Sequence, residues 1–125
     1  MASMKILLAE DDPATRCVLV DIIEEMGMAA VGCSNGRRAL ETLYDNPDVA
    51  LLITDVMMPE MDGRLLVQII RGNKQFDTLQ IIMISAVAGT RDLENVLSLG
   101  QVSFLAKPLS VVQVQAKIKE LLHLP

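Results

Sequence analysis

Val49-Ala50-Leu51-Leu52-Ile53-Thr54-Asp55-Val56-Met57-Met58-Pro59-Glu60-Met61-Asp62-Gly63 is the stretch on which the fold turns. It opens with a near-continuous apolar run, residues 49–54, that stops at an aspartate. Pro59 and Gly63 then mark a turn. A strand apolar along its whole length is buried on both faces, as in a parallel sheet covered by helices. A carboxylate where such a strand ends is held rigidly yet reaches solvent, the place where open α/β sheets put their chemistry. Asp55 is therefore the first candidate functional residue.

Comparable runs lie at residues 5–9, 28–32, 80–85 and 102–106, separated by longer segments of helical period. The alternation predicts five strands and five helices in repeated β-α units, with the strands buried between two helical layers. The first helix opens at Asp12-Pro13, an aspartate cap before proline at the first helical position. It carries Val18, Leu19, Ile22, Ile23 and Met26, and ends at Gly27. The second follows Ser34-Asn35-Gly36, carries Ala39, Leu40, Leu43 and Tyr44, and stops before Asn46-Pro47. The third runs from Gly63 to Arg71 with Leu65, Leu66, Ile69 and Ile70 as its apolar stripe. A fourth is expected at about residues 90–99. The fifth opens on Ser110-Val111-Val112-Gln113, a capping box, and carries Val114, Ile118, Leu121 and Leu122 on one face.

At 125 residues the chain fits one domain, taken as residues 4–125, with Met1-Ala2-Ser3 either a scar or a native extension. Its residues are 51% hydrophobic but only 2% aromatic, so the core is aliphatic. A net charge of −5, with 11 scattered basic residues, argues against a nucleic-acid-binding surface. Arg37-Arg38 reads as a solvated first turn. The absence of both a charge-free apolar stretch of ~20 residues and a cleavable leader argues against a membrane span and leads us to expect a cytoplasmic protein. Cys17 and Cys33 lack metal-ligand spacing and the single histidine is His123, so both cysteines are read as small hydrophobes in a reducing compartment. His123 reads as a solvated helix terminus.

Right-handed crossovers point all the strands the same way, which gathers Glu10-Asp11, Asp55, Ser85 and Lys107 on one sheet edge. Three carboxylates and one ammonium leave a local charge near −2. Like charges a few ångströms apart repel by several kcal/mol at intermediate dielectric, so such a cluster calls for a cation. All-oxygen donors with room for water match Mg²⁺, or Mn²⁺, rather than zinc. A divalent cation there would attract a phosphoryl group, which Lys107 and the Ser85 hydroxyl are placed to hold. Asp55 then becomes a candidate nucleophile forming an aspartyl-phosphate.

Taken together, Leu7-Leu8-Ala9-Glu10-Asp11-Asp12 with Arg16 beyond it, the Leu52 to Gly63 stretch, Ile84-Ser85-Ala86 and Phe104-Leu105-Ala106-Lys107-Pro108 resemble the response regulator receiver domain. The resemblance covers essentially the whole chain. It implies a flavodoxin-like sheet of order 2-1-3-4-5, an order that receivers themselves exemplify. It further implies that Asp55 is phosphorylated by a histidine kinase, a phosphotransfer histidine protein or an acyl phosphate. Asp11, Asp55 and the Met57 backbone carbonyl would hold Mg²⁺, with Glu10 acting through a water. Lys107 would pair with the phosphoryl oxygens. Ser85 and Phe104 would form the switch, acting on a face made by the fourth helix, fifth strand and fifth helix. Pro59, Gly63 and Pro108 would shape turns, Pro108 with a cis bond as in the family.

The chain also departs from the family. Serine stands where threonine is frequent, which keeps the hydroxyl, and Phe104 replaces a frequent tyrosine. Gln101-Val102-Ser103 lacks the acidic pair of many transcription-factor receivers, so their salt-bridged dimer is not expected; a monomer or a weak, phosphorylation-promoted dimer is. Val111 and Val112 suggest an apolar output face. Met57 and Val87 cannot orient an attacking water, which predicts slow self-dephosphorylation. A haloacid dehalogenase-type phosphohydrolase would carry an aspartate where Met57 stands. A docking-only pseudo-receiver would lack one of Asp11, Asp55 and Lys107. The output passes to a partner or to an effector domain outside this chain.

Overall fold

A computed structural model describes residues 4–86 and 100–125. Its elements are β1 (Lys5–Ala9), α1 (Pro13–Glu25), β2 (Ala29–Cys33), α2 (Gly36–Asp45), β3 (Leu51–Asp55), α3 (Gly63–Arg71), a 3-10 turn (Lys74–Phe76), β4 (Gln80–Ser85), β5 (Val102–Ala106) and α4 (Val111–Leu122). The helix expected at about residues 90–99 and Val87 lie outside the described residues, so α4 is the fifth helix of the sequence reading. All strand pairs are parallel, in the order β2-β1-β3-β4-β5, as the resemblance implied.

Three of the five expected strands have the expected bounds; β2 begins and ends one residue later, and β3 begins at Leu51 and includes Asp55. Uniform burial of all five strands was also expected, and the sheet order corrects it. β1, β3 and β4 are buried almost throughout, whereas the edge strands β2 and β5 are largely half-exposed. An edge strand has one strand neighbour and less cover.

Two aliphatic layers enclose the sheet. One joins Leu7, Leu52, Ile81 and Met83 to Ala39 and Leu43 of α2 and Leu66, Val67 and Ile70 of α3. The other joins Ile6, Leu8, Ile53 and Ile82 to Leu19, Ile22 and Ile23 of α1 and Val114 and Ile118 of α4. Side chains alternate between the layers along each strand, as the period of two requires. The expected stripes need correcting: Val18 of α1, Tyr44 of α2 and Leu65 of α3 are exposed, and Val67 is buried instead of Leu65. Cys17 is exposed as well, so the small-hydrophobe reading holds for Cys33 alone.

Helix starts follow the sequence closely. Asp12, Asn35, Asp62 and Ser110 accept from the amides of Thr15, Arg38, Leu65 and Gln113, each supplying a first-turn amide with an acceptor. The C-cap of α1 is Met26, one residue before the expected Gly27, which follows with φ +85°. His123 is the exposed C-cap of α4.

Candidate functional site

The C-terminal ends of β1, β3, β4 and β5 bring Glu10, Asp11, Asp55, Ser85 and Lys107 to one edge of the sheet. Glu10, one residue past β1, is held at its amide by the Cys33 carbonyl at 3.0 Å and is 1% exposed. Asp55 is 8% exposed. Its Oδ1 accepts from the Val56 amide at 2.8 Å, while the Thr54 hydroxyl donates to its carbonyl at 2.9 Å. The carbonyl of Val56 accepts from the Gly63 amide at 2.7 Å, and a Cβ at Gly63 would collide with the Asp55 carbonyl oxygen. Only glycine allows α3 to start so close to the end of β3.

Lys107 Nζ lies 2.9 Å from Asp55 Oδ2 and 3.1 Å from Glu10 Oε1. Its own amide donates to the Ser85 carbonyl at 2.8 Å, and the Lys107–Pro108 bond is cis. Ser85 is 6% exposed. Asp11 is exposed, and one carboxylate oxygen from each of Glu10, Asp11 and Asp55 falls within a 4.8 Å cluster. The site residues singled out in the sequence are thus brought together. Met57, 74% exposed, lines a cleft of about 280 Å³ with Asp11, Met58, Pro59, Asp62 and Arg64.

Electrostatically, the corner is unbalanced. Burial, reinforced by the adjacent Asp55 carboxylate, pushes the Glu10 carboxyl up to about 7 from an ordinary 4.5, against the pull of Lys107. Burial by itself would lower Lys107, but Asp55 and Glu10 raise it overall, so it stays charged. Glu10 Oε1 is buried and faces the Lys107 ammonium at 3.1 Å, a contact that Lys107 shares with Asp55. Three carboxylates that share one ammonium, with an oxygen of each inside 4.8 Å, fit a hard divalent cation with oxygen ligands.

Two residues of this neighbourhood had been given no role. Thr54 gave a signal, a buried hydroxyl in an otherwise apolar run. Arg16 was marked only as part of the motif that carries the resemblance, and it donates to the Glu10 carbonyl at 2.7 Å. Phe104 is half-buried and packs on the layer that contains Met83, while Val111 and Val112 are exposed.

The family model for the response regulator receiver domain matches residues 6–119. The chain belongs to this family. It is a receiver domain of two-component signalling, a switch rather than an ordinary enzyme. A chemotaxis protein CheY homolog of Campylobacter jejuni is 30% identical over 120 residues, covering 95% of this chain and 92% of that protein. The sensor histidine kinase TmoS of Ectopseudomonas mendocina is 32% identical over 120 residues, which are 96% of this chain but 12% of that protein. Among solved structures, the signal receiver domain of a signal transduction histidine kinase from Syntrophus aciditrophicus is 33% identical with a TM-score of 0.86, covering 97% of this chain and 91% of that one. Among the described residues no helix is long and apolar enough to cross a membrane.

Proposed function

We propose that Asp55 is the phosphoacceptor of this receiver, which spans residues 4–125 and acts in the cytoplasm. The observation that carries the reading is the contact of Lys107 Nζ with both Asp55 and Glu10, beside a third carboxylate from Asp11. One ammonium among three carboxylates leaves negative charge for a divalent cation to offset.

Asp11, Asp55 and the Met57 backbone carbonyl would hold Mg²⁺, or Mn²⁺, with Glu10 contributing through a water. When bound, the cation neutralises charge on the transferring phosphoryl oxygens. An Asp55 carboxylate oxygen bonds to phosphorus, and the P–N bond of a phosphohistidine breaks. The donor imidazole leaves with its electron pair and takes up a proton. With an acyl phosphate the P–O bond breaks and a carboxylate leaves. Lys107 pairs with the transferred phosphoryl oxygens.

Ser85 then hydrogen-bonds the phosphoryl group, and the Phe104 ring follows into the space Ser85 vacates. Phosphorylation biases two conformers that already exist, since its added contacts are made in one of them only. β5 and α4 belong to the output face, to which the sequence also assigned the segment at about residues 90–99, outside the described residues. The donor is a histidine kinase or a phosphotransfer histidine protein. Output passes through a separate partner, as for a free-standing regulator, or through an attached effector domain. The receiver is a monomer or a weak dimer promoted by phosphorylation. The exposed thioether of Met57 is too weak an acceptor to orient a water, so the phosphoryl group is lost slowly.

Intact-mass spectrometry after incubation with acetyl phosphate tests the reading. The wild type is expected to gain one phosphoryl group only with Mg²⁺ present, and Asp55→Asn none. A gain that survives Asp55→Asn or chelation would overturn the assignment.

A further inference from the structure

Arg16 stands on α1, outside the acidic cluster, and no role above uses it. Its Nη1 donates to the backbone carbonyl of Glu10 at 2.7 Å. The stem of the side chain lies across Gly32 of β2, where a Cβ would stand 3.2 Å from Arg16 Cδ and 3.4 Å from Cγ. The absent side chain at Gly32 leaves the slot that the arginine fills.

The Glu10 backbone is therefore gripped on both sides, its amide by the Cys33 carbonyl and its carbonyl by Arg16. The carbonyl of Glu10 and the amide of Asp11 share one rigid peptide plane. Fixing that carbonyl fixes the direction in which the chain enters Asp11, and with it where the Asp11 carboxylate lies relative to Glu10 and Asp55. The same corner opens α1: the Asp12 amide donates to Glu10 Oε2 at 3.3 Å, and the Arg16 amide donates to the Asp12 carbonyl at 2.9 Å.

We propose that Arg16, seated in the slot left by Gly32, is a positioning residue that sets the divalent-cation affinity of the Glu10, Asp11 and Asp55 cluster. The inference rests on reading that cluster as the cation site. Charge and geometry give opposite signs, which makes it testable. A nearby guanidinium repels a cation, so its removal would tighten binding if charge alone mattered. Loss of a group that orients the ligands weakens binding, by about 10–100-fold where such partners have been removed from other metal sites.

Mg²⁺ affinity is measured by calorimetry on the unphosphorylated protein, together with urea unfolding of each variant. Arg16→Gln is expected to weaken binding about tenfold. Arg16→Lys keeps the charge but lacks the planar fork and its reach, and is expected to weaken binding about threefold. Gly32→Ala pushes the arginine stem aside by a few tenths of an ångström and is expected to weaken it about twofold, with Arg16 intact. Unchanged or tighter binding in a folded Arg16→Gln protein overturns the proposal, as does a loss of stability with no change in affinity. If the Arg16 variants do not fold, unchanged affinity in Gly32→Ala overturns it. A wild type that binds no Mg²⁺ would overturn the cation-site reading itself, whereas wild-type binding that the variants leave intact overturns the role of Arg16 alone.

Discussion

The central strands and the edge strand β5 supply opposite halves of the site. β1 and β3 carry the carboxylates on a backbone whose side chains, Leu7, Leu8, Leu52 and Ile53 among them, are at most 1% exposed. β5 supplies Lys107 and Phe104 from residues that are half-buried from Val102 to Leu105. The negative groups are thus built into the best-packed part of the molecule. The ammonium and the proposed switch ring sit on an element with one strand neighbour and less packing to lose when it shifts. Elements that move are drawn from the less stable part of a fold.

The sharpest way to break this contrast is to remove equal volumes from its two sides. Leu52 is wholly buried and Leu105 half-buried. Leu52→Ala is expected to lower unfolding stability by about 2–5 kcal/mol, the usual cost of a core cavity, and Leu105→Ala by about half as much. Urea denaturation at fixed pH measures both. Equal losses would mean that β5 is packed as firmly as β3 and that the contrast is only one of surface exposure.

A smaller effect separates the two halves by pH. The carboxyl of Glu10 is raised to about 7 in the folded protein. Below its ordinary value of 4.5 it is protonated in both folded and unfolded chains. As pH rises from there to about 7 the unfolded chain ionises first, so the folded state loses stability, by at most about 3 kcal/mol. Lys107 is also raised, and its contribution is lost only when alkaline pH passes its folded value, so it adds no slope in this window. In chelator, wild type is expected to lose ground to Glu10→Gln between these two values, and Mg²⁺ should offset most of that loss. Parallel pH curves for the two proteins would show that Glu10 ionises freely.

Much of this division was written in the chain, but not all of it. The apolar runs ending in Asp55, Glu10 and Lys107 marked both the parallel strands and the residues that meet. The same runs hid which strands are edges, because residues 28–32 and 102–106 are as apolar as residues 5–9. Apolarity marks a strand and not its place in the order, and the order 2-1-3-4-5 came from the resemblance. Leu65 and Val67 show the same limit within a helix: they flank the Leu66 and Ile70 stripe on opposite sides, and only packing against α2 and the sheet selects Val67. Arg16 stood among the residues that carry the resemblance, but its role stayed hidden because a lone arginine on a helix ordinarily reads as solvated. Its signal was split between itself and a glycine on another element.

The smallest expected effect concerns the helix starts that follow each half of the site. α3 begins just beyond β3, where Asp62 Oδ1 accepts from the Leu65 amide at 3.0 Å while Asp62 Oδ2 holds Arg64 at 3.1 Å. α4 begins beyond β5, where Ser110 Oγ accepts from the Gln113 amide at a longer 3.3 Å. A carboxylate cap also interacts favourably with the positive end of its helix, which a hydroxyl does much less. Asp62→Ala is therefore expected to cost about 1 kcal/mol, and Ser110→Ala about 0.5 kcal/mol. Amide exchange in the first turn of each helix provides the local reading, with the Leu65 amide losing more protection than the Gln113 amide. If Ser110→Ala proved the costlier change, the start of α4 would be held as firmly as that of α3, and the looser half of the site would reduce to β5 alone.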